Sequence, residues 1–165
     1  MAHPPPAAWR SMAEADLPEM QRIADLVHAD LPERAEVMAE RLRLFPAGCL
    51  ATLGGYAVAH PSRFGAPPAL DTLLASLADD ADVLHWHDVA LLPALRGQGL
   101  GAAAMRCLLD VAARHRLARI TLIAVYGTTP YWARLGFVAA EAAVASYGAD
   151  ARYMVSEGVT TRPGG

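Results

Sequence analysis

The chain has 165 residues and a formal net charge of −3, with a sequence pI near 6.0. All 14 of its basic Lys/Arg residues are arginine and none of them cluster, so bulk DNA or RNA is not an expected partner. The absence of lysine excludes Schiff-base catalysis and a P-loop lysine. No apolar run approaches the ~18 residues of a membrane span, and residues 1–7 have neither a basic nor an apolar leader region, so a cytoplasmic protein with no membrane partner is expected. The length fits one domain, and two distant cysteines, Cys49 and Cys107, provide no metal or disulfide framework.

Taken in chain order, residues 1–7 are proline-rich and read as a flexible tail, and the domain is expected to run from 8 to 155, with a second tail over 156–165. Residues 8–12 are suited to a first strand. Asp16-Leu-Pro-Glu19 and Asp30-Leu-Pro-Glu33 each set an aspartate three residues before a glutamate with proline in the first turn, which predicts two capped helices. Met20, Ile23, Ala24 and Val27 line one face of the first; Ala35, Met38, Leu42 and Phe45 line the second. Gly54-Gly55, between apolar residues 49–53 and 56–59, predicts a β-hairpin turning on the two glycines. After a Pro/Gly/Ser-rich stretch over 60–68, Asp71 is read as the cap of a short helix carrying Leu73, Leu74 and Leu77, in an insertion that is either a wall of a substrate mouth or a surface excursion.

Residues 83–91 read as a long strand, followed by glycines and a helix reaching about Arg116. The β-branched run 119–125 suits a central strand, Thr129-Pro130 opens a short helix that Gly136 closes, and 137–139 and 151–155 complete the strands.

The segment 87–101, ending Arg96-Gly97-Gln98-Gly99-Leu100-Gly101, carries the chemistry. A strand runs into glycines that open a helix, and a helix N-terminus offers unpaired N–H groups and about half a positive charge. Glycines let the backbone close on a phosphate, so a pyrophosphate suits this loop. The spacing is neither a Walker loop nor GxGxxG.

Leu91-x-Pro93-x-x-Arg96-Gly97-x-Gly99-x-Gly101 resembles the acetyl-CoA signature of the GNAT acetyltransferases, and Pro130-Tyr-Trp-Ala-Arg-Leu-Gly-Phe137 resembles that family's F-Y-x-K/R-x-G-F segment. The element order also resembles the family, over about residues 8–155. The resemblance implies a single α/β domain: a mixed sheet of about six to seven strands splayed between the fourth and fifth, helices on both faces, and acetyl-CoA as cosubstrate in the gap. It implies that the backbone from Arg96 or Gly97 through Gln98, Gly99, Leu100 and Gly101 holds the pyrophosphate, with Leu91 pairing along the pantetheine arm and Trp132 beside the cofactor. The reaction implied is acetyl transfer to a primary amine of a small molecule or peptide, without metal; many members of the family pair as dimers, which leaves a homodimer or a monomer open for this chain.

Amine attack requires a base, and departure of the thiolate requires an acid. By resemblance Asp88, on the fourth strand, is the base candidate; a local ion pair or cap is the alternative. Strand alternation turns His87 to the opposite face. The family's thiolate-protonating tyrosine is replaced by Trp132, which leaves Tyr131, Tyr126 or water as the acid. This replacement also supports a catalytically silent acyl-CoA-binding module as the rival reading. His85 and His87 have strand-face metal-ligand spacing but lack neighbouring ligands in sequence, and Tyr147 either reaches the acceptor or closes a turn.

Overall fold

The computed structural model describes residues 8–156. Seven strands form one sheet in the order β1-β2-β3-β4-β5-β7-β6, comprising β1 (Arg10–Ser11), β2 (Cys49–Thr52), β3 (Gly55–Ser62), β4 (Val83–Leu91), β5 (Arg119–Ala124), β6 (Phe137–Ala139) and β7 (Arg152–Ser156). Every neighbouring pair is antiparallel except β4 and β5, which run parallel and so need a crossover. That crossover contains α3 (Leu100–Arg114); the other helices are α1 (Leu17–Val27), α2 (Ala35–Leu44) and α4 (Thr129–Arg134).

The core divides between the two faces of the sheet. Met20 and Ile23 of α1 and Met38 and Leu42 of α2 bury against Cys49, Ala51, Tyr56 and Val58. Ala104, Met105, Leu108 and Ala112 of α3 pack with Trp132 against Ala57, Ala59, Leu84, Trp86 and Leu122 on the opposite face. Alternation along β2 and β3 sends successive side chains to the two clusters.

Two irregularities of the sheet shape the site. The β4–β5 ladder runs from Val83↔Arg119 to Trp86↔Leu122 and stops. Beyond it β4 continues to Leu91 paired only with β3, while β5 continues to Ala124 paired with β7, so the strands part at the expected place. In the β3–β4 ladder, Val58 faces Asp88 and the next pair is Ala59↔Trp86, leaving His87 as the extra residue of a β-bulge. The bulge overturns the alternation expected of His87, because His87 and Asp88 both line the same cleft.

Several local expectations shift for identifiable reasons. The hairpin turns on Leu53-Gly54, with Gly54 at φ +83°, while Gly55 is already in β3. Asp16 closes a short 3-10 turn and accepts from the Ala13 amide (2.8 Å) and Arg10 instead of capping α1. The second helix starts at Ala35, after Asp30-Leu-Pro-Glu33, because Glu33 is turned to His87. Ser156, expected in a tail, belongs to β7 and pairs with Phe137; residues 1–7 and 157–165 lie outside the described residues.

No helix forms after Asp71. Its carboxylate accepts instead from the Arg34 amide (2.8 Å), at the start of α2, and the amides of Leu74 and Ala75 donate to buried Glu40 at 2.6 and 3.0 Å. Tertiary carboxylates thus take the backbone groups that a local helix would have used. Fully buried Arg41 donates to Glu40 (3.1 Å) and to the Thr72 carbonyl (2.9 Å). Glu40→Ala leaves that guanidinium unneutralised, and urea denaturation is expected to show a loss of about 3–5 kcal/mol; a loss within experimental error would contradict this account of the segment.

Candidate active site

A cleft of about 850 Å³ opens where β4 and β5 part. One end is lined by Arg96, Gly97, Gly99, Leu100 and Gly101, and the other by His28, Leu31, Glu33, Leu70, His87, Asp88 and Tyr147. Leu91, Tyr126, Tyr131 and Trp132 also line it.

Physical requirements of the loop explain its glycines. Gly97 and Gly99 have φ +78° and +76°, and Gly99 is the N-cap of α3. A Cβ on either would meet nothing within 4 Å, so the space before the helix N-terminus is open. A helix N-terminus facing open space in this way leaves N–H groups without intrahelical partners, a setting suited to an anion. Gln98 is not part of the lining; its side-chain amide donates to the Ala94 carbonyl at 3.1 Å. On the β5 side the backbone of β4 beyond the Trp86 pair has no strand partner, which leaves its edge near Leu91 free for an extended ligand.

The structure separates the two tyrosines considered as acids. A Cβ on Gly101 would collide with the Tyr131 hydroxyl, so that hydroxyl stands at the glycine loop. Tyr126 stands at the other end, its ring stacked on His28 with centroids 6.1 Å apart. Tyr126 has φ +57°, a left-handed conformation that costs a non-glycine residue energy and that clusters at functional sites. Partial burial, with Asp30 and Asp88 nearby, raises its pKa and keeps it protonated. Trp132 is buried, edge-on to Trp86, Tyr131 and Phe137, and acts as a packing aromatic as well as a cleft wall.

Asp88 lies in the cleft with both oxygens engaged. Oδ1 is 2.8 Å from His28 Nε2, and Oδ2 accepts from the Tyr56 hydroxyl at 2.6 Å. Burial alone would raise the Asp88 pKa, but His28 and the Tyr56 hydrogen bond outweigh it and hold the carboxyl below its ordinary value. Burial opposes the charge on His28 too, yet Asp88, the Val89 carbonyl and Glu33 prevail and raise the pKa of the imidazole. Both neighbours of Nε2 are acceptors, so the neutral ring carries its proton on Nε2, while Nδ1 is buried without a partner. An adjoining cavity of about 20 Å³, lined by His28, Glu33, His87 and Asp88, has room for one water. His28 lies at the C-terminus of α1 without any local motif, and only the fold brings it to β4.

His87 pairs with Glu33 at 2.8 Å, and His85 bonds Thr121 at 3.0 Å. Burial, aided by neighbouring imidazoles, pushes His60 down to about 3 and His85 well below its usual value, so both are neutral at physiological pH. Among the described residues no group of three or more His, Cys, Asp or Glu side chains is placed to hold a metal ion. Tyr147 lines the cleft, and its hydroxyl donates to the distant Pro68 carbonyl at 3.1 Å and does not close its own turn. No described helix is long and apolar enough to cross a membrane.

Comparison with known structures reproduces the architecture. The loading GNATL domain of CurA from Lyngbya majuscula aligns with a TM-score of 0.77 at 13% identity, over 94% of this chain and 99% of that one. N-acetylglutamate synthase from Neisseria gonorrhoeae, complexed with coenzyme A and N-acetyl-glutamate, aligns at 0.71 and 15% identity over 96% of this chain and 36% of that one. The ribosomal-protein-S18-alanine N-acetyltransferase of Escherichia coli aligns at 0.66 and 18% identity, covering 94% and 96%. No curated protein matches by sequence. The sequence profile of the acetyltransferase (GNAT) family matches residues 13–137, and with the parted strands and the glycine-lined helix terminus in place, the chain belongs to that family.

Proposed function

We propose that the protein transfers an acetyl group from acetyl-CoA to a primary amine by direct attack in a ternary complex. The observation that carries this reading is the single cleft that joins the glycine loop of α3 to the His28–Asp88–Tyr56 chain. A similar fold that holds coenzyme A supports the choice of cosubstrate.

In this reading the amides of the 97–101 loop bind the pyrophosphate, and the unpaired edge of β4 near Leu91 aligns the pantetheine arm. A β4 amide facing the thioester oxygen would stabilise the negative charge that develops there, an interaction commonly worth ~3 kcal/mol. The His28–Asp88 pair takes the amine proton, through water, as nitrogen bonds to the acetyl carbon. Asp88 holds the His28 ring and its tautomer, with Tyr56 fixing the second carboxylate oxygen. As the carbon–sulfur bond breaks, Tyr126 gives its proton to the thiolate, and both side chains re-equilibrate with solvent. Direct attack is favoured because neither Cys49 nor Cys107 lines the cleft, and burial raises the Cys49 thiol to about 12, which makes it a poor nucleophile.

Tyr126→Phe is expected to lower kcat by about 10²-fold with KM for acetyl-CoA unchanged in steady-state assays. An unchanged kcat would remove Tyr126 from the mechanism. The second reading, a silent acyl-CoA-binding module, is favoured by Trp132, which puts an indole where a proton-donating hydroxyl is expected. It predicts acetyl-CoA binding with no turnover of any amine.

A further inference from the structure

We infer that the acceptor is a small primary amine whose chain ends inside the cleft, and that segment 63–82 is the wall that excludes polypeptides. The inference rests on the acetyl-transfer reading and specifies its second substrate. Between β3 and β4 this segment forms neither helix nor strand, yet polar bonds fix it on two sides. On one side the Pro68 carbonyl accepts from Tyr147 (3.1 Å) and the Leu70 amide donates to Ser146 Oγ (3.0 Å), both in the β6–β7 connection. On the other side the Asp71 amide donates to Glu33 Oε2 (2.9 Å) and the Asp71 carboxylate accepts from the Arg34 amide, both in the α1–α2 connection.

Residues 68–71 therefore tie together the two loops that flank the acceptor end. An extended peptide lying between those loops would have to break these bonds. Asp71 and Ala75 hold φ values of +57° and +63°, strain that persists only where surrounding contacts enforce it. The enforcing contacts are those of Arg34 with Asp71 and of Glu40 with the Ala75 amide.

The wall also defines the chemistry of the acceptor. Leu31 and Leu70 supply apolar surface, and Glu33 faces the same space. Glu33 already accepts from His87 and from the Asp71 amide, but a carboxylate has about four lone-pair sites and retains capacity for an ammonium group. With Asp88 at the same end, the pocket attracts a small alkylammonium ion.

Binding of bisubstrate conjugates tests this without requiring turnover. CoA carrying an S-linked acetyl group joined to n-butylamine is compared by calorimetry with the same conjugate of a short peptide's N-terminus, and with CoA alone. Burial of about four methylenes should make the butylamine conjugate bind roughly 100-fold more tightly than CoA, while the peptide conjugate binds no more tightly than CoA. Leu70→Gly, or Tyr147→Phe should the first variant misfold, is expected to improve binding of the peptide conjugate relative to both the butylamine conjugate and CoA alone. A peptide conjugate that matches the butylamine conjugate on wild type overturns the inference while the acetyl-transfer reading stands. The same holds if CoA binds and neither conjugate gains. Failure of CoA itself to bind overturns both.

Discussion

Gly99→Asp is expected to abolish acetyl-CoA binding in a protein that remains folded. The position is the N-cap of α3, where aspartate is a favoured residue, and its positive φ is a conformation that Asp tolerates better than most residues at a cost of ~1–2 kcal/mol. Nothing within 4 Å obstructs the new Cβ. The substituted carboxylate would instead place a negative charge against the helix N–H groups that are proposed to hold the pyrophosphate. Calorimetry should show Kd weakened at least ~100-fold, about 2.7 kcal/mol, with the thermal unfolding profile little changed. Gln98→Ala, one residue away, should bind as wild type because that side chain folds back to Ala94. Equal losses in the two variants would mean that the loop is merely fragile.

His28→Gln is expected to lower kcat/KM by roughly 10²–10⁴-fold and to leave acetyl-CoA affinity intact. The pH profile identifies the group. Burial opposes the charge on His28, but Asp88, the Val89 carbonyl and Glu33 raise its pKa above the ordinary imidazole value, so activity should rise with pH through that raised value, and this limb should vanish in His28→Gln. In Asp88→Asn the limb should survive but move to lower pH, because the carboxylate that stabilises the imidazolium has been removed. If Asp88 itself were the base, Asp88→Asn would abolish activity and His28→Gln would be mild. Stability follows the same linkage: the charged pair contributes fully below the unfolded value of His28 and is lost as pH rises through the folded one. His28→Gln should remove that part of the pH dependence of unfolding.

The features of the site that were legible in the sequence are those encoded locally. Glycines at 97, 99 and 101 after the fourth strand announce a strand-to-helix turn, and the β-branched run of β5 announces a central strand; both are where expected. The features that were not legible depend on distant partners. Asp71 resembles a helix cap until Arg34, 37 residues away, takes its carboxylate. Asp88 resembles a free carboxylate until His28 and Tyr56 occupy its oxygens, and no motif marks His28 because only the packing of α1 on β4 brings it to Asp88. The β-bulge at His87 is a register shift between two apolar strands, and a period-2 pattern does not reveal it.

The most direct test of the central claim is a turnover assay in which the protein is incubated with acetyl-CoA and a panel of small primary amines, following thiol release and identifying the product by mass spectrometry. The account predicts thiol release that requires both protein and amine, together with a matching N-acetylated amine. Acetyl-CoA binding without acetylated product from any amine in the panel would contradict it and leave the chain as an acyl-CoA-binding module.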